Sequence, residues 1–298
     1  LRTVQDDVRT RIEANYPSIL VEDRDEYVGA VKDQINQFLS LITALLALAV
    51  IIGYSLITPG LMVFSGVDYG DLLYSSHNVL HGVVIPLAAG AVFLILVQAF
   101  LRWDHVFSDP GRLPMNKLLW APVVVMVVGG LIRLTGIPAG VLFEHIGLIL
   151  LGGVLVGFTE ETVFRGFLLR SLRAGERPEI QIALIVSLAF GLFHLTNVFT
   201  GSPLGGVIFQ VILASITGFA LYLARRGTGL LVAGMVLHGF WDVSTFLVQS
   251  KPDVQTVGTG IAFGLMLANL VLVVIVMIWA WRNQPTLKLT ESGTLEGT

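Results

Sequence analysis

The chain has 298 residues, of which 54 % are hydrophobic and 13 % charged, and its mean hydropathy is +0.80. Soluble domains carry about 25 % charged residues, so a chain this apolar cannot clothe a water-soluble globule and is expected to be an all-α polytopic membrane protein. A formal charge of -3 leaves no basic excess for nucleic acid, and the lack of Cys excludes disulfides, thiol catalysis and thiolate-held zinc.

Residues 1–37 are polar and mixed in charge, as in VQDDVRTRIEANY, and hold too few apolar residues for a core of their own. An amphipathic surface helix near 22–37 is expected to feed the first span. A bilayer-crossing helix needs about 20 mostly apolar residues. Such runs occupy Phe38–Ile57, Val79–Leu101 and Leu118–Ile132, the last ending near Arg133. A fourth, from about 141 to 172, is long and interrupted by Glu144, Glu160, Glu161 and Arg165. Ile180–Ala224 is free of Asp, Glu, Lys and Arg, and Asn197–Pro203 (NVFTGSP) divides it into two helices. Leu230–Val248 holds one charge, Asp242, and Val257–Trp281 is the last run. Eight spans are expected, with a transmembrane domain over 38–281 and a polar, Thr/Gly-rich tail over 282–298 that reads as disordered.

Loop charges set the expected orientation. A cytoplasmic N-terminus puts Arg102, Arg112 and Lys117, then Arg170, Arg173 and Arg177, then Arg225 and Arg226, then Arg282 and Lys288 on the inside. The opposite loops at 59–78 and 196–203 have no Lys or Arg, and 249–257 has only Lys251. This positive-inside bias places both termini in the cytoplasm of a multi-pass protein, with Arg133 the one discordant charge. Trp103, Trp120 and Trp281 fall near the expected interfaces. No cleavable signal peptide is expected, because the first apolar run starts only at residue 38.

Ionisable side chains inside spans are expensive and point to function unless they are paired. Three clusters carry them: TEETVFRG (159–166), AFGLFHLTN (189–197) and LHGFWD (237–242). Glu161 and Arg165 are four apart and share a helix face, whereas Glu160 points about 100° away and has no basic partner at i+4. The first two are expected to form a buried structural pair, which leaves Glu160 free for chemistry. His194 shares a face with Asn197, and His238 with Asp242. At 1.5 Å per residue, Glu160, His194 and His238 lie about 18, 21 and 12 Å from one membrane face, so three helices bring polar groups to one layer. His77, His81, His105, Glu144 and His145 read as surface or interface residues. The glycine pairs at 152–153 and 205–206 read as close helix packing. There is no Walker loop, dinucleotide fingerprint or paired half-sequence, so no nucleotide cofactor is implied and a transporter is disfavoured.

With these clusters in view, residues 140–250 resemble the type II CAAX prenyl endopeptidases and their bacterial relatives, the CPBP or abortive-infection membrane proteases. The glutamate motif is Glu160, Glu161 and Arg165; the FxxxH motif runs from Phe190 to His194; the last motif runs from His238 to Asp242. The resemblance implies a metal-free intramembrane endopeptidase acting on a membrane-associated peptide or protein. It implies Glu160 as general base, His194 as its partner on the water, and His238 as oxyanion donor. Glu161 and Arg165 are then a supporting pair, with Asn197 also in support. Prenyl-processing members have Asn where this chain has Asp242. An ionised Asp cannot donate, so Asp242 is expected to accept from His238, fixing its tautomer or keeping it charged. Residues 4–52 separately resemble the entry of an ABC-exporter permease into its membrane helix, with the polar part outside, against the loop charges.

Two other readings stand beside proteolysis by activated water. Glu160, His194 and His238 are the two-nitrogen, one-oxygen set of a zinc protease, although HExxH is absent. A non-enzymatic membrane scaffold would keep the same polar groups only for helix packing.

Overall fold

The structure is a computed structural model and describes residues 2–16, 24–109, 111–173, 178–251 and 257–283. The tail over 284–298 therefore lies outside the described residues, as do Arg177 and Lys288. Among the described residues, helices joined by loops account for the chain, with one isolated β-bridge between Ser108 and Leu230. Two compact units meet in sequence at Thr43 and Ala44. In the first, α1 (Arg2–Asn15) is followed by the start of α2 (Arg24–Phe64), and Arg9 pairs with Glu13 and Glu26 at 3.3 and 3.0 Å. These exposed pairs add little stability. From Arg24 onward the polar leader and the first span form one continuous helix, so the expected junction at residue 37 falls inside α2.

Among the described residues, eight helices are long and apolar enough to cross a bilayer. They are α2, α3 (Ser76–Leu101), α4 (Lys117–Leu134), α5 (Phe143–Arg173), α6 (Glu179–Thr200), α7 (Leu204–Thr228), α8 (Leu231–Gln249) and α9 (Val257–Arg282). The chain is a multi-pass membrane protein. Local chemistry sets several ends. Ser75 accepts from Asn78 N–H to cap α3, Asn116 accepts from Leu119 N–H to cap α4, and Gly229, at φ +74°, closes α7 in the left-handed region. Two spans contain π-helical turns, α3 at Leu80–Val84 and α5 at Thr162–Leu168. The last seven residues of α6, His194–Thr200, wind as a 3₁₀ helix.

The core of the second unit lies where α5, α6, α7 and α8 meet, around Phe164, Phe167, Phe190, Phe219 and Leu237. Small residues let α5 and α8 approach backbone to backbone. A Cβ on Gly239 would stand 2.6 Å from Gly153 O, and one on Gly157 would collide with Met235 O. The close packing expected at 152–153 is found there; at Gly205 and Gly206 nothing lies within 4 Å of an added Cβ, so that part of the expectation fails. Gly157→Ala is therefore expected to destabilise by about 1–3 kcal/mol through overpacking. Gly147→Ala, on the same helix with open space around it, should be neutral or stabilising by up to about 1 kcal/mol. Thermal unfolding of the two variants in one detergent checks the difference, and equal shifts would refute the backbone contact.

Three sequence expectations change in the folded chain. Arg225 and Arg226 are 1 % and 0 % exposed, not loop charges in water. Arg226 pairs with Glu179 and Asp109, while Arg225 donates to the carbonyls of His105, Val106, Phe107 and Gly229, so the two pin the α3–α4 loop to the end of α7. Arg133 is also buried. Its Nη1 donates to Thr245 Oγ1 at 2.7 Å and Ser244 Oγ at 3.1 Å, and the guanidinium lies 4.1 Å over Trp241, which accounts for its discordance with the loop-charge pattern. His145 is buried too, although Glu144 beside it is exposed as expected.

Candidate active site

Glu160 and Glu161 end the α-helical part of α5, at the point where it widens into the π turn. Single π turns often mark functional positions, because they re-aim the side chains on either side. Glu161 turns into the protein and is fully buried, as is Arg165. Its Oε1 accepts from Arg165 Nη1 at 2.9 Å and from His238 Nδ1 at 3.0 Å. Arg165 Nη2 donates to Gly218 O at 2.8 Å, and its guanidinium lies 4.2 Å over the Phe190 ring. Buried charges cost several kcal/mol each unless paired and hydrogen-bonded, and this set of contacts supplies both the pairing and the hydrogen bonds. Gly234 makes room for it: a Cβ there would come within 2.8 Å of Glu161 Oε2.

Glu160 faces another way. Its side chain keeps 12 % exposure, its Oε2 has no hydrogen-bond partner among the described residues, and that atom stands 3.9 Å from His238 Nε2. Asp242 Oδ2 is 3.6 Å from the same nitrogen, with 20 % of its side chain exposed. Neither distance is a direct hydrogen bond. The carboxylate that grips His238 is thus Glu161, 77 residues earlier in the chain, and Asp242 supplies charge nearby without holding the ring.

His194 opens the 3₁₀ end of α6 and is partly buried. Its Nδ1 lies 3.0 Å from Phe190 O, and a carbonyl only accepts, so Nδ1 donates. The Phe190 ring meets both imidazoles edge-on, His194 at 5.1 Å and His238 at 5.4 Å between centroids. One phenyl ring therefore spaces the two histidines while it supports Arg165. Asn197 is engaged elsewhere. Its Nδ2 donates to Gln210 Oε1 at 2.9 Å and to Tyr69 OH at 3.4 Å, and Gln210 Nε2 donates to Tyr69 OH at 3.1 Å.

Four contributors are not marked by the sequence motifs: Arg133 on α4, Tyr54 on α2, Tyr69 in the α2–α3 loop and Gln210 on α7. Tyr54, fully buried, donates to Thr159 Oγ1 at 2.9 Å beside Glu160 and packs on Phe193. A lone tyrosine in an apolar run is the signal that could have found it, since a buried hydroxyl needs a partner. Among the described residues no three His, Cys, Asp or Glu side chains gather closely enough to hold a metal ion.

Carboxylates and imidazoles from three spans of an all-helical bundle are consistent with an intramembrane protease-type site. Residues 142–244 match the family described as Type II CAAX prenyl endopeptidase Rce1-like. This homology assigns that stretch, which contains Glu160, His194, His238 and Asp242, to the Rce1-like CAAX protease family, in agreement with the resemblance carried by the three motifs. No curated protein and no solved structure matches the chain.

Proposed function

We propose that the chain is an intramembrane endopeptidase that hydrolyses a peptide bond in a membrane-associated peptide or protein, using water activated by Glu160 and His194. The observation that carries this reading is the division of labour between adjacent glutamates: Glu161 is fully buried and locked to Arg165 and His238, while Glu160 is partly exposed with an unpartnered oxygen. A carboxylate with few hydrogen bonds in a poorly solvated site is a strong base for a water proton. His194, with Nδ1–H given to Phe190 O, presents Nε2 as a second acceptor that orients the same water.

His238 is the electrophile in this reading. Its Nδ1–H is committed to Glu161, so donation to a tetrahedral oxyanion requires a second proton on Nε2. Glu160 at 3.9 Å and Asp242 at 3.6 Å supply negative charge to match that imidazolium. Preorganised donors of this kind contribute more to acyl-transfer catalysis than most other effects. With the basic loops inside, both termini are cytoplasmic, and α5 to α8 are the protease core. The bond to Asp242 expected from the sequence is replaced by one to Glu161, and a prenylated substrate is not implied.

Comparative peptidomics of membranes carrying the wild type or Glu160→Gln tests the activity directly. Peptides that appear only with the wild type, and persist in the presence of a chelator, support the proposal; indistinguishable peptide pools overturn it. On one such peptide, Asp242→Asn should keep turnover within about tenfold, because Glu161 still holds the ring, whereas His238→Ala should lose more than about 10²-fold. The double variant His238→Ala/Asp242→Ala should be little worse than His238→Ala alone, since residues acting as one unit are not additive. If Asp242→Asn is as inactive as His238→Ala, the Asp242 charge has a larger part than this geometry gives it.

A further inference from the structure

A second polar site lies at the end of the bundle where the α3–α4 loop docks. A cavity of about 340 Å³ opens there, lined among others by His105, Asp109, Arg165, Arg170, Arg173 and Arg225, and by none of Glu160, His194 or His238. Four guanidinium groups thus converge on one space with a single carboxylate. That carboxylate is already taken, since Asp109 Oδ2 accepts from Arg173 Nη1 at 2.6 Å and also pairs with Arg226. Arg170 and Arg225 form no ion pair among the described residues. Arg170 Nε donates to Asp104 O at 2.7 Å, and Arg225 spends both Nη atoms on backbone carbonyls.

Arg165 and Arg225 stand behind this wall, 0 % and 1 % exposed as residues, and their Nε atoms are buried with no hydrogen-bond partner among the described residues. Burying guanidinium charge is costly, and an anion bound in the cavity offsets that cost. The loop that closes the cavity is firmly held: Asp109 N–H donates to Gly229 O, Leu113 N–H to Arg226 O, and Leu231 N–H to Phe107 O, at 2.8 to 2.9 Å. The Arg170 and Arg225 guanidinium groups are therefore preorganised by carbonyls that fix their position and do not neutralise them.

We infer that this cavity binds a phosphate-bearing anion, with Arg170 as its principal hydrogen-bonding ligand and Arg225, whose Nη donors are spent on backbone carbonyls, supplying positive charge behind it. Guanidinium groups match phosphate oxygens in geometry and charge, and several together suit a tetrahedral anion better than a planar carboxylate, which one Arg satisfies. The level in the bundle fits a lipid headgroup as well as free phosphate. Arg170 lies 4.8 Å over the Trp103 ring, and Trp side chains gather at the membrane–water boundary, where basic pockets between spans hold anionic headgroups. The binding site is separate from the proposed hydrolytic centre and does not depend on it; Arg165 is the one residue that touches both.

Native mass spectrometry of the full chain, purified in a neutral detergent and stripped of lipid, tests the proposal with two probes: inorganic phosphate and phosphatidylglycerol. One saturable adduct per chain is expected. Phosphate binding alone identifies free phosphate as the source; a phosphatidylglycerol adduct that millimolar phosphate does not displace identifies the lipid headgroup. In either case Arg170→Gln, a half-buried position whose loss strands no carboxylate, should weaken the adduct at least about tenfold, one charge-assisted contact's worth. Arg225→Gln should do the same, with circular dichroism confirming that the variant is folded. The proposal is overturned if neither probe binds in a saturable way, or if both variants bind as the wild type does. It is equally overturned if only a peptide with a free C-terminal carboxylate binds, and its amidated form does not.

Discussion

Glu160→Gln should abolish hydrolysis while leaving the protein folded. The substitution preserves the shape of the side chain and removes the only feature a general base needs, so the loss falls on turnover, on the order of 10²-fold or more. Its structural cost should be small, because the Glu160 carboxylate makes no ion pair closer than 3.9 Å and its Oε2 has no hydrogen-bond partner to lose. The measurement pairs single-turnover rates on an identified peptide with thermal unfolding of the same samples. Near-normal turnover by a well-folded Glu160→Gln protein would sink the general-base assignment and with it the proposed mechanism.

Arg165→Ala should show the opposite pattern, a large loss of stability. Removing the guanidinium strands Glu161 in the core with only the His238 Nδ1–H still bonded to it, and breaking a buried pair from one side costs about 3–5 kcal/mol. It also strips the Gly218 carbonyl of its donor and the Phe190 ring of its cation. The decisive comparison is with Glu161→Gln/Arg165→Met, which removes both charges and keeps an acceptor for His238 Nδ1. That double variant should regain most of the lost stability, because no charge is left unpaired. If Arg165→Ala unfolds at the wild-type temperature, the pair is solvated and its place in the core is wrong. If the double variant is no more stable than the single one, packing outweighs charge at this site.

Much of the fold is legible in the sequence because a membrane imposes a simple rule on each segment separately. The expected fourth span, 141 to 172, is Phe143–Arg173, and the division at Asn197–Pro203 separates Glu179–Thr200 from Leu204–Thr228. The Glu161–Arg165 pair is legible for the same reason, since four residues of helix bring the partners together without help from any other span. Contacts between spans leave no such local trace. Nothing in the run around His238 says that its acceptor lies on α5, and nothing around Arg133 says that α8 will offer it two hydroxyls. Arg225 and Arg226 read as solvated loop charges because composition marks where a helix ends, not whether a returning loop covers that end.

The π-helical turn of α5 has a consequence for how this span tolerates change in length. A π turn carries one residue more than the α turn it replaces over nearly the same rise, so it behaves as a one-residue insertion absorbed within a straight helix. The residues before Thr162 and those after Leu168 are therefore out of α phase by about 100°. The carboxylates sit on one side of that offset, and Arg170 and Arg173, which face the basic cavity, sit on the other. Losing a single residue from 162–168 would restore a regular helix and rotate one half of the span against the other, so that glutamates aimed at α8 and arginines aimed at the loop could no longer both be in place. The length of this seven-residue segment is thus constrained apart from its side chains, and a homologue lacking one residue here could retain the motif letters yet hold only one of the two sites.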